Sequence, residues 1–396
     1  MELDFMPGLL SLATAVPPHE LRTEDVIRFA TAIFAGRHRD FERLMPVFGN
    51  SGIERRFSVR PYDWFAQDQG WPERTAAYIE GACALFAEVS GKALDQAGLE
   101  APDIDTIITV SSTGVATPSI EARMMSSLGF RDDVKRIPVF GLGCAGGVSG
   151  LSLAARLAKA EPGSKVLVVV IELCTLAFRP DEMSKSNIIA TALFGDGAAA
   201  CVVSTEGARQ GTFEHAGEHT WPGTTDVMGW RMDAEGFGAI FSRSIPDLAT
   251  TDLRPAADLF LSRHGLTLDD TNLRCFHPGG AKVIQALEQA FETGQGVLAN
   301  ERIVLRDYGN MSAPTVLFVL ARELDAPQPG RRFISALGPG FTASFMTMLH
   351  LPSCGSTSPF SRSSRCSAPP SFISRIATPS GFSPRAASNL GPTIIP

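Results

Sequence analysis

IPVFGLGCAGG, residues 137–147, runs from a short apolar β-type stretch into a glycine-rich turn. From about residue 149 to 160 the pattern becomes helical. Strand, Gly-rich turn and helix in that order form the repeating unit of an α/β protein. The rhythm continues on both sides. Upstream, strands are predicted over 8–15 and 105–110, and helices over 22–35, 76–97 and 120–128. Downstream comes a buried strand over 165–172, then the Asp196-Gly197 pair, read as a tight turn, before a strand over 198–203. Apolar strands alternating with helices predict an α/β fold with buried, mainly parallel sheets.

The second half repeats the theme. A strand over 273–276 leads through Gly279-Gly280 to a helix over 281–291, and a helix over 312–324 follows. Strands over 333–337 and 343–349 close around Gly338-Pro339-Gly340. Two halves of similar make-up, 1–205 and 206–351, predict a duplicated architecture. Residues 352–396 are rich in Ser, Pro and Arg and have no usable period, so they are predicted to be a disordered tail or the product of wrong-frame translation.

The 396 residues, 44% of them hydrophobic, suffice for a large core or for two domains packed as one body. A net charge of -7 with no Lys/Arg run leaves no electrostatic footprint for nucleic acid. The N-terminus, MELDFMPGLL, carries acidic residues where a secretion signal needs basic ones. The most apolar run, 166–171, is far too short for a membrane span of about 20 residues. Seven scattered cysteines without CxxC spacing, and no clustered histidines, argue against disulfides and a metal site. A cytoplasmic protein with free thiols is the expectation.

Cys144 is the thiol that stands out. Flanking glycines let the backbone approach a ligand, and the following helix turns its positive end toward the sulfur, which favours thiolate. The structural alternative is a small buried residue in a turn. His277, before Pro278-Gly279-Gly280, is by itself more often a satisfied structural residue, and Asn310 is by itself a helix cap. Together the three carry more weight: each opens a helix after an extended segment, where such ends converge on a site.

The runs GLGCAGG (141–147), ALFGDGAAACVV (192–203), CFHPGGAKVIQALEQAF (275–291), LRDYGNMSAPTVLFVL (305–320) and ALGPGFTASF (336–345) resemble type III polyketide synthases, the chalcone synthase-like family. Their order and spacing agree with the family over about residues 8–349. The resemblance implies a thiolase-like duplicated αβαβα layered fold and a homodimer. It also implies iterative decarboxylative condensation of malonyl-CoA onto an acyl-CoA starter, with no metal or organic cofactor. Cys144 would hold the chain as a thioester, His277 would pair with the thiolate, and Asn310 with His277 would stabilise the enolate.

For the substrate pocket the resemblance points to Phe194 as a gatekeeper and to Glu172, Cys174, Ala177, Thr117, Ser312 and Gly340 as wall residues. The family's second gatekeeper Phe falls at Ala239 or Ile240, unless Phe237 or Phe241 serves instead. Plant-like members usually have Thr at Cys174 and Ala177, and a Met reaching across the dimer at Thr117. With the opening LATAVPPHEL, these departures are closer to bacterial alkylpyrone and alkylresorcinol synthases, so a medium or long fatty acyl starter is predicted. Arg43, Arg55 and Arg56 are the candidate CoA contacts. Two rivals remain: a ketoacyl synthase III-like single-round enzyme, whose His is typically followed by Gln-Ala-Asn, and a non-catalytic acyl-CoA-binding member. Hydroxymethylglutaryl-CoA synthase is weaker, since no general-acid Glu is indicated.

Overall fold

The stretch Val166–Leu173 is buried at all of its eight positions, as a strand covered on both faces must be. In the computed structural model, which describes residues 6–37, 41–67, 69–207 and 209–350, it is one of the strands β1 (Gly8–Ala15), β2 (His19–Arg22), β3 (Arg55–Ser58), β4 (Thr106–Val110), β5 (Lys135–Val139), β6 (Val166–Leu173), β7 (Asp196–Ser204), β8 (Gly211–Thr220), β9 (Met228–Asp233), β10 (Gly236–Phe241), β11 (Leu273–Phe276), β12 (Gly330–Gly338) and β13 (Thr342–His350). Nine of these form one sheet in the order β11-β12-β13-β8-β1-β7-β6-β4-β5. Alternate residues of β6 serve different cores. Leu167, Val169 and Ile171 join the cluster under the helix Trp71–Ala97, while Val166, Val168 and Val170 join one filled by the helices Gly146–Ala160 and Thr315–Asp325. A two-residue period thus sandwiches the sheet between helices.

Pairing is parallel at β4–β5, β4–β6 and β11–β12. It is antiparallel at β6–β7, β1–β7, β1–β8, β8–β13 and β12–β13. The mainly parallel sheet expected from the sequence is thus corrected to a mixed one, because short apolar runs carry no mark of strand direction. Outward from the β1–β8 seam, β1-β7-β6-β4 and β8-β13-β12-β11 show the same succession of antiparallel, antiparallel and parallel pairs. The seam joins the two halves in a single compact unit. The tail 352–396 lies outside the described residues.

Two local expectations also change. Asp196-Gly197 is not a turn but the start of β7. The buried Asp196 carboxylate accepts from Val59 N (2.9 Å), Thr175 N (2.8 Å) and Thr175 Oγ1 (2.6 Å), which ties three segments together. A helix at Ala299–Tyr308, not foreseen in the sequence, brings the Glu301 side chain to the Phe276 N–H of β11.

Candidate active site

Strand β5 ends at Val139, and the chain passes through the 3₁₀ turn Gly143–Ala145 directly into the helix Gly146–Ala160. Cys144 lies in that turn, ahead of the helix. Gly143 has a φ of 48°, and a methyl group there would fall 2.6 Å from the Pro339 ring. At Gly147 a methyl group would fall 2.3 Å from the Ala313 carbonyl oxygen. Both glycines are steric requirements. They seat the turn between the β12–β13 connection and the 310–313 loop.

His277 follows β11, and its N–H donates to Ser335 O at 3.0 Å. Its ring is buried, and neither Nδ1 nor Nε2 has a hydrogen-bond partner. Two idle polar atoms at such a depth ask for a ligand to explain them. Asn310 is held on both sides of its amide: Nδ2 donates to Gly279 O (3.1 Å), and Oδ1 accepts from Ser312 N (2.8 Å). That leaves one of its two N–H donors uncommitted to the protein. Asn310 does not cap a helix, since the next one begins at Thr315. Cys144, His277 and Asn310 line one cavity of about 680 Å³.

Burial pushes the Cys144 thiol up to about 12; a hydrogen bond with Ser312 pulls it back, and nearby Glu172 adds to the rise. Burial alone lowers His277 to about 4. Removal from water thus opposes the thiolate that the helix end favours. Thiol and neutral imidazole face the same cavity. Ser312 adopts a φ of 59°, a left-handed conformation costing roughly 1–3 kcal/mol for a non-glycine residue. Its carbonyl accepts from Thr315 N (3.1 Å) and Thr315 Oγ1 (2.8 Å), which holds it there.

Glu172, next to last in β6, is fully buried, with Oε2 accepting from Ser112 N (2.9 Å) and Thr113 Oγ1 (2.8 Å), while Oε1 has no hydrogen-bond partner. Burial raises it from 4.5 to about 8 against those two hydrogen bonds. Between these values the folded protein keeps a proton that the unfolded chain releases. The stability tied to this proton is complete below pH 4.5 and is lost as the pH rises through 8. Glu172→Gln, which keeps an acceptor oxygen, should remove that loss. Its stability relative to wild type is expected to rise by a few kcal/mol, to order of magnitude, between pH 5 and pH 9. Thermal melts at both pH values measure this, and an unchanged difference would show that the buried proton is not there.

The remaining wall residues divide. Phe194 and Cys174 line a second cavity of about 50 Å³. The helix Lys185–Leu193 separates the two spaces, with Lys185, Ser186, Ile189 and Leu193 facing the large one and Ala190 and Thr191 the small one. Phe194 packs against Trp230 (ring centroids 5.6 Å apart) and Phe241 (5.4 Å). Ala239 is Trp230's cross-strand partner in the β9–β10 hairpin. Trp230 thus fills the space beside Ala239, a role the sequence reading missed because it depends on hairpin register. Ala177 is buried in the turn after β6, Thr117 is exposed on the 111–119 loop, and Gly340 sits in the β12–β13 turn. None of these three lines the large cavity.

Of the three candidate CoA contacts, only Arg43 lines the large cavity. Arg56 is buried, and its guanidinium donates to the Thr191 and Ala192 carbonyls at the end of the helix Lys185–Leu193. Arg55 lies on β3, 4.0 Å from Glu20 on the paired strand β2. Neither of these two lines the large cavity. Lys185, Arg243 and Lys282 join Arg43 along the cavity, with Asp247 among them. Burial, followed by repulsion from Arg243, Arg43 and Lys282, lowers the Lys185 pKa. These cations are far apart in sequence and form no charge run, which is why composition did not flag them.

Comparison with known proteins accounts for this geometry. The chalcone and stilbene synthase N-terminal domain matches residues 70–207, and the C-terminal domain matches residues 213–350. The chain belongs to the chalcone and stilbene synthase family. It is a type III polyketide synthase, a condensing acyltransferase with a thiolase-like fold, and enzymes of this family use CoA thioesters without a cofactor. The 1,3,6,8-tetrahydroxynaphthalene synthase of Streptomyces peucetius is 35% identical over 354 residues, covering 87% of this chain and 94% of the relative. The alpha-pyrone synthesis polyketide synthase-like protein of Mycobacterium tuberculosis is 27% identical over 356 residues, covering 85% and 89%. The crystal structure of 1,3,6,8-tetrahydroxynaphthalene synthase from Streptomyces coelicolor superposes with a TM-score of 0.83 at 28% identity, covering 87% of this chain and 99% of that one. No helix among the described residues is long and apolar enough to cross a membrane.

Proposed function

We propose that Cys144 carries the growing chain, that the starter is a medium- or long-chain fatty acyl-CoA, and that the product closes to an alkylpyrone or alkylresorcinol. The observation that carries the mechanism is the single cavity shared by a thiol, an imidazole with two idle nitrogens and an amide with one N–H to spare. As a thioester enters, the Cys144 proton passes to His277 and the sulfur attacks the acyl carbonyl. The CoA thiolate leaves and takes a proton from His277. Malonyl-CoA then loses carbon dioxide, and the electron pair moves onto its thioester oxygen, which His277 and Asn310 stabilise as an enolate. The enolate carbon attacks the acyl thioester and expels the Cys144 thiolate, giving a chain two carbons longer on CoA. Arg43, Lys185, Arg243 and Lys282 supply positive charge for the CoA phosphates.

The small, buried side chains at Cys174 and Ala177, in place of the bulkier Thr, support a fatty starter. One observation favours a second reading, in which malonyl units alone build the product: Trp230 and Phe241 crowd Phe194. Mass spectrometry of products from malonyl-CoA with a ladder of acyl-CoA starters separates the two. Exclusive use of malonyl-CoA would sink the fatty-starter proposal. Trp230→Ala is expected to shift the preferred starter toward longer chains by at least about tenfold in relative kcat/KM, the value of one or two methylenes' room. An unchanged profile would mean that the aromatic wall does not set chain length.

A homodimer joined near the 111–119 loop is part of the proposal. It is supported by the exposed apolar side chains of Val115 (51%) and Phe140 (48%) beside that loop and the nucleophile turn. The five described cysteines are all unpaired, and a nucleophilic thiol needs a reducing compartment, which supports a cytoplasmic enzyme.

A further inference from the structure

We propose that Glu301 is a positioning residue for His277, acting by clamping the open edge of the strand that delivers it. β11 has four residues and stands at the edge of the nine-stranded sheet, paired only with β12. Successive N–H groups of a strand point to opposite sides. The His277 N–H points inward, to Ser335 O of β12 at 3.0 Å. The Phe276 N–H points outward, where an edge strand has no neighbour to receive it. Glu301 receives it: Oε1 accepts from Phe276 N at 3.0 Å, from a side chain that is 2% exposed in the first turn of the helix Ala299–Tyr308. The two N–H groups on either side of the Phe276 α-carbon are thereby fixed in opposite directions. The Phe276 ring, stacked on Phe291 at 4.7 Å, packs the same residue in place.

The clamp matters because, among the described residues, no hydrogen bond aims the His277 ring. Both of its nitrogens lack hydrogen-bond partners, so its direction is set by the backbone and by packing. Glu301 does not act on the imidazole electrically, since burial is the sole cause of the His277 shift. Burial also raises Glu301 itself to about 8, against the Phe276 N–H bond. At neutral pH it is therefore mainly an uncharged acid that contributes a carbonyl-type acceptor. An amide offers the same acceptor in the same place, so the role is separable from charge.

The inference rests on His277 acting as proposed above, and His277→Ala in the same assay tests that reading separately. The assay is carbon dioxide release from malonyl-CoA by the full chain, with kcat normalised to Cys144 thiols titrated by iodoacetamide. Glu301→Ala is expected to lose roughly 10- to 100-fold in kcat, the effect of misplacing a catalytic group by about 1 Å, with KM nearly unchanged. Glu301→Gln is expected to retain kcat within about threefold, since an amide keeps the acceptor. Glu301→Met keeps the stem without the acceptor and should behave like the alanine variant if that one does not fold. A normal kcat in the alanine or methionine variant would overturn the proposal. So would a glutamine variant as slow as alanine, or a loss confined to KM. If both acceptor-free variants fail to fold while glutamine is normal, Glu301 serves folding only and the proposal falls. If His277→Ala itself releases carbon dioxide normally, the reading of His277 fails instead.

Discussion

Cys144→Ala is expected to abolish acyl-enzyme and polyketide, a loss of at least about 10³-fold, while leaving part of the malonyl-CoA decarboxylation in place. The sulfur is the strongest nucleophile of the three and the one proposed to hold the chain, so its removal is not expected to be made good by His277 or Asn310. Decarboxylation asks for something different: donors at the forming enolate oxygen, which both remaining residues keep. The substitution removes one atom from a turn whose next residue is already alanine, so the fold should survive. Intact-protein mass spectrometry after incubation with acyl-CoA, together with product analysis, measures the effect. A covalent adduct or unchanged products in the variant would remove Cys144 from the centre of the mechanism.

The second large effect is expected at Asn310. Asn310→Asp exchanges the N–H donor for a carboxylate oxygen, facing the Gly279 carbonyl on one side and a developing enolate on the other. Loss of one such donor typically costs about 10²–10³-fold, and the added negative charge increases the cost. Oδ1 can still accept from Ser312 N, so the 310–313 loop keeps its anchor. Loading of the starter onto Cys144 does not pass through the enolate and should continue. The expected signature is therefore a normal acyl-enzyme with carbon dioxide release reduced at least about 10²-fold. Equal loss of both, or of neither, would contradict the division of roles.

Much of this site is legible in the chain because its residues sit in steric cages that only certain sequences satisfy. Gly143 and Gly147 had to be glycine for Cys144 to lie between Pro339 and Ala313, and that requirement leaves a motif. Gly309, beside Asn310 in the connection between two helices, is required in the same way: its φ is 68° and a methyl group there would fall 2.9 Å from the Leu193 carbonyl oxygen. What the sequence did not show depends on pairing between distant strands. Trp230 became visible only once β9 and β10 were in register. The cations along the cavity are single residues on separate segments, and Arg56, read as a candidate CoA contact, is buried against a helix end. Asp196 looked like a turn residue because Asp-Gly usually is one; three donors from other segments decided otherwise.

The seam where β1 meets β8 has a consequence for how such an enzyme diversifies. Since one hydrogen-bonded sheet passes through both halves, they cannot swing apart like the jaws of a hinged enzyme to admit a larger guest. The vessel has a fixed frame, and on the proposed reading its capacity is adjusted by exchanging single fittings such as Trp230 or Cys174. New products can then arise in small mutational steps, each leaving the reaction machinery as it was.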